Sequence, residues 1–93
     1  MKFSTKQTVV TAGINNMMTE NVAFAQFVHL SLQRHFGCDW GDLNVVDKQT
    51  NDNALATNER IFSVYASKLL DKSIWIISEA DRSTTTVLFS VEY

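Results

Sequence analysis

Hydrophobic positions change their period once along this chain, and the change divides it into a helical part and a sheet. Gln7-Thr8-Val9-Val10-Thr11 is a short β-prone run, ended by Ala12-Gly13. Thr11 is placed to cap a short helix from Ile14 to Glu20 that carries Ile14, Met17 and Met18. Asn21 offers a second N-cap, to the strongest helical signal in the chain, Val22 to Phe36. There Phe24, Phe27, Val28, Leu32 and Phe36 form one broad apolar stripe. Gly37 follows it, where a left-handed residue is normally needed. A weaker amphipathic helix runs from about Val45 to Thr57, with Asn44 as N-cap and Asp47 at N3. In it Asn51 shares a face with Ala54 and Leu55, so it should sit near the core and needs hydrogen-bond partners there.

From Arg60 onward the period is two. Phe62, Val64 and Ala66 alternate with Ile61, Ser63 and Tyr65. Residues 68–72 read as a turn, Ile74-Trp75-Ile76-Ile77-Ser78-Glu79 as a second strand, Asp81-Arg82-Ser83 as another turn, and Thr84 to Val91 as a third strand. Connections this short force antiparallel neighbours, because a parallel return needs about a dozen residues or more. The pattern predicts an α+β fold. A small antiparallel β-sheet of three to four strands, the N-terminal strand included, carries two to three helices on one face. The chain reads as a single domain, residues 1–93, helical over about 12–57 and a β-meander over about 60–92.

Composition narrows the choices. At 93 residues, 45% hydrophobic and 19% charged, the chain is the stock of one small globular domain. It contains no proline, so its turns rely on Gly, Asn, Asp and Ser. Cys38 is the only cysteine, which excludes an internal disulfide and a zinc knuckle. A net charge of −2 excludes a basic DNA-binding footprint. Residues 37–60 set Asp39, Asp42, Asp47, Asp52 and Glu59 against Lys48 and Arg60, a segment that repels nucleic acid and suits a basic protein surface. No apolar run approaches the ~18–20 residues of a membrane span. The start of the chain lacks the apolar core of a signal peptide, so the expected location is cytoplasmic.

Several segments carry a likeness. Asp39-Trp40-Gly41-Asp42-Leu43, Asn51-Asp52-x-Ala54-Leu55, Arg60-x-Phe62-Ser63-x-Tyr65 and the run Ile74 to Leu88 resemble a family of small bacterial proteins of plasmids, phages and other mobile elements. Its members are called plasmid-related proteins or, loosely, a type I restriction system methylation subunit. The likeness spans residue 9 to Tyr93; where the family often has a proline shortly before the final Tyr, this chain has Ser90-Val91-Glu92. It implies a mobile-element setting. The methylation label fails on chemistry: such an enzyme grips its flipped base with an Asn/Asp-Pro-Pro-aromatic loop, and its cofactor needs a Gly-rich turn. This chain has no proline, and Gly13, Gly37 and Gly41 form no G-x-G.

Three constellations carry candidate chemistry. Asp39, Trp40 and Asp42 form an acidic-aromatic loop that either docks a partner or plugs the core, its carboxylates capping amides or pairing with Arg60 or Arg82. Asn51, Asp52 and Arg60 join it as candidate contact residues. Glu79 and Asp81, with Arg82 beside them, either form a carboxylate pair for a cation or for acid–base work, or simply close a turn. His35 and Cys38 have a chelating spacing, but Cys38 is the only thiol. Met17 and Met18, with Leu69 and Leu70, are hard to bury together and suggest an apolar patch for a homodimer. The function this favours is a non-enzymatic accessory protein of a mobile element that binds a protein partner, one form being an anti-defence factor. It needs no cofactor, no metal and no nucleic acid. The alternatives are a small enzyme or ion-binding protein using Glu79, Asp81 and Arg82, and a structural homodimer subunit.

Overall fold

The computed structural model describes residues 1–68 and 72–93, so Leu69, Leu70 and most of the turn expected at 68–72 lie outside the described residues. The elements are β1 (Gln7–Val10), α1 (Ala12–Glu20), α2 (Val22–Phe36), α3 (Val45–Thr57), β2 (Ile61–Ala66), β3 (Ser73–Ser78) and β4 (Thr84–Phe89), closed by a 3-10 turn over Ser90–Glu92. The fold is α+β, a four-stranded sheet in the order β1-β4-β3-β2 with its helices on one face. β2, β3 and β4 form the expected antiparallel meander. β1 joins it in parallel, Gln7 opposite Thr84 and Val10 opposite Val87, so the sheet is mixed. All three helices separate β1 from the meander, and a connection of that length permits a parallel return.

The helix caps form where local sequence places them. Thr11, Asn21 and Asn44 accept hydrogen bonds from the amides of Ile14, Phe24 and Asp47. Two boundaries differ from expectation. Ala12 and Gly13 belong to the first turn of α1 rather than to the end of β1. The last strand stops at Phe89, where Glu92 turns back to accept the Phe89 amide at 2.9 Å. Gly37 has φ −90°, and the left-handed residue after α2 is Cys38, with φ 65°.

The inward face of the sheet presents Tyr65, Ile74, Ile76, Val87 and Phe89 to Ile14 of α1 and to Phe24 and Val28 of α2. A second cluster packs Ile61 against Ala54 of α3 and Trp40. Each such aliphatic or aromatic side chain contributes about 1.5–3 kcal/mol on burial. Met17 and Met18 pack half-buried against the first cluster, so they do not form the exposed patch expected of them. The buried seam of α2 is Phe24, Val28, Ser31 and His35, flanked by half-buried Phe27, Leu32 and Phe36. Two polar residues therefore stand on a stripe that periodicity reads as wholly apolar.

Candidate functional site

The loop after α2 is built onto the free edge of β2. Arg34 grips Asp39 through Nε at 2.7 Å and a second nitrogen at 3.2 Å, which holds the Asp39 carboxyl below its usual range. Trp40 is 3% exposed and donates its indole N–H to Asp52 at 3.0 Å, so it plugs the core rather than anchoring a partner. Gly41 has φ 75° and forms a bridge to Val64. The Asp42 amide donates to the Val64 carbonyl at 2.8 Å, and the Asp42 carboxylate accepts the Ala66 amide at 2.8 Å. Asn51, 4% exposed, holds the amide and carbonyl of Phe62. The Tyr65 hydroxyl donates to the Asp39 carbonyl at 2.7 Å, and burial pushes this phenol up to about 12.

The turn between β3 and β4 does similar work on α3. Arg82 sits at φ 58° and sends its guanidinium to the carbonyls of Glu59 at 2.8 Å, Glu79 at 3.0 Å and Ala54 at 3.1 Å. It thereby caps the last turn of α3, pairing with neither the Glu79 nor the Asp42 carboxylate. Glu79 pairs instead with Arg60 at 3.4 Å, both side chains about half exposed. Asp81 accepts the Ser83 amide at 2.9 Å. The two carboxylates thus take separate partners. Among the described residues no group of three or more His, Cys, Asp or Glu side chains is arranged to hold a metal. The acidic-aromatic loop and this turn both reach α3, the loop through the Trp40–Asp52 bond and the turn through Arg82.

His35 heads a buried polar chain that sequence reasoning did not find. It is 0% exposed, with Nδ1 2.5 Å from the Ser63 hydroxyl and Nε2 2.8 Å from that of Ser78. Ser78 continues to Thr85 at 2.7 Å, and Thr85 to Thr5 at 2.9 Å. The rings of Phe3, Phe36 and Trp40 enclose the imidazole at 5.4, 5.4 and 5.8 Å. Burial, and then the Arg82 charge, lower its pKa to about 3, so the ring is neutral, donating on one side and accepting on the other. A serine beside a neutral imidazole is the pairing nucleophilic catalysis uses, but Ser63, Ser78 and His35 are all fully buried. The legible signal was Ser63, Ser78 and Thr85 at inward positions of period-two strands, each needing a partner.

Among the described residues no α-helix covers the outward face of the sheet. Phe62 and Trp75 stand there half-buried with Val64, beside Ile77 and Leu88. Phe62 meets Trp75 edge-on at 4.9 Å, and Tyr93, 68% exposed, leans over Trp75 at 5.4 Å. Arg60 donates to the Tyr93 hydroxyl at 3.0 Å, and Arg60, Phe62, Trp75, Ile77 and Tyr93 line a cavity of about 200 Å³. No protein family, curated protein or solved structure matches this chain.

Proposed function

We propose that this chain is a non-enzymatic binding domain that docks a protein partner through the outward face of its sheet. The observation that carries this reading is the uncovered aromatic group of Phe62, Trp75 and Tyr93 beside Arg60. Aromatic and Arg side chains over an apolar centre are the groups that dominate binding energy at protein interfaces. The polar residues nominated for contact support it indirectly: Asp39, Asp42, Asn51 and Arg82 are engaged with backbone groups or one another's elements. Asp47 and Asp52 of α3 and Glu59 just beyond it face solvent on the helix side of the sheet, and this acidic surface disfavours nucleic acid. With the resemblance to mobile-element proteins, the partner class is a bacterial immune or restriction effector, met in the cytoplasm.

The test is expression in a host carrying an active restriction or CRISPR system, scored by plating efficiency of a sensitive phage and by co-purification of the effector. Wild type raises plating and retains the effector. Trp75→Ala and Tyr93→Ala lose both by at least about 30-fold, the equivalent of a 2 kcal/mol hot spot. Unchanged plating with no effector bound by wild type refutes the reading.

A further inference from the structure

The two edges of the sheet are treated differently. On β2 the outward backbone groups are closed in succession: Phe62 by Asn51, Val64 by Trp40 and Asp42, Ala66 by the Asp42 carboxylate. β1 is the other edge, and no element of the described structure lies beyond it. The amides of Gln7 and Thr11 donate to Ser83 and Val87, so the odd-numbered residues face β4 and the peptide groups of Thr8 and Val10 point away from the sheet. Gln7, Thr8 and Val9 are exposed, and the strand contains no charge, proline or bulge. Edge strands are ordinarily guarded by such features.

We propose that a second copy of this chain pairs with the first along β1, antiparallel and centred on Val9, joining two four-stranded sheets into one of eight strands. The geometry is self-complementary. With Val9 on the twofold axis, Thr8 lies opposite Val10 of the other copy, and their outward groups exchange four hydrogen bonds. Val9 pairs with Thr86 within the sheet, on the face away from the helices, so the two Val9 side chains meet across the axis as a closely spaced pair. The pairing is independent of what the outward face binds, and it places two such faces side by side. A strand of four residues buries less than the roughly 1,200 Å² of a standard interface, so the association is weak and concentration-dependent.

The test is register-specific cross-linking in a Cys38→Ser background under oxidised glutathione, with protein at about 0.5 mM. Val9→Cys places two thiols on directly opposed residues, within the ~4.4–6.8 Å Cα separation a disulfide takes; Thr8→Cys separates them beyond 7 Å. Val9→Cys is expected to form disulfide dimers at least tenfold faster than Thr8→Cys. Equal rates, or no dimer from either, overturn the proposal. Thr8→Pro removes an outward N–H without touching a bond to β4, and sedimentation equilibrium should show its self-association weakened at least tenfold. Self-association that survives Thr8→Pro but is lost in Trp75→Ala overturns the proposal in favour of face-to-face stacking.

Discussion

The side-chain amide of Asn51 stands where a neighbouring strand would, with Nδ2 donating to the Phe62 carbonyl at 2.6 Å and Oδ1 accepting from the Phe62 amide at 3.2 Å. One residue of α3 thus replaces one rung of a ladder. Gly41 and Asp42 supply the next rung at Val64, and the motif most suggestive of a binding loop closes a sheet edge.

Asn51→Ala leaves both Phe62 groups without partners beneath a helix. Unsatisfied buried groups cost about 1–3 kcal/mol each, and partial rehydration brings the expected loss to about 2–4 kcal/mol. Urea denaturation at pH 7 reads it directly. Asn51→Asp, which keeps the acceptor but turns a carboxylate on the Phe62 carbonyl, should lose a comparable amount.

His35 makes the fold sensitive to acid. Its folded pKa is about 3 against an ordinary value of 6.5, so between those values the unfolded chain binds a proton that the folded chain refuses. Stability from this group is complete above about pH 6.5 and falls by about 1.4 kcal/mol per pH unit as the pH drops towards 3. The Asp39 carboxyl, held low by Arg34, adds its loss only below the ordinary carboxylate range. Urea midpoints from pH 7 to 4 should decline steadily in wild type. His35→Gln should start lower at pH 7 and lose most of that slope above pH 5.

Gly41 and Gly37 should respond oppositely to alanine. A Cβ on Gly41, at φ 75°, would collide with the Val64 carbonyl oxygen, so Gly41→Ala must tear the loop from β2 and costs several kcal/mol. At Gly37 the nearest atom is 3.2 Å away and φ is −90°, so Gly37→Ala should change stability by about 1 kcal/mol or less. Thermal melts of the two variants check the contrast.

Arg82→Lys should cost about 2–3 kcal/mol, since an ammonium cannot reach the carbonyls of Ala54, Glu59 and Glu79 with one planar fork. Glu79→Gln removes an exposed ion pair and should cost at most about 0.5 kcal/mol. Asp81→Asn should leave the melting temperature unchanged. A reversed order in calorimetry would return the Glu79–Arg82 turn to consideration as a working site.

What the sequence determined by itself was local. The caps at Thr11, Asn21 and Asn44, the ends of α2 and α3, the meander and the buried amide of Asn51 all follow from a few neighbouring residues and a repeat period. The tertiary structure decided what depends on residues far apart in the chain. It set β1 parallel on β4, threaded His35 through Ser63, Ser78 and Thr85, and sank Trp40 while lifting Phe62 and Trp75 to the open face. It also put the left-handed turn on Cys38, beside the Asp39 that Arg34 holds. Period and propensity specify which side of an element is inward. Which inward polar groups meet, and which sheet edge is left bare, depends on the docking of whole elements.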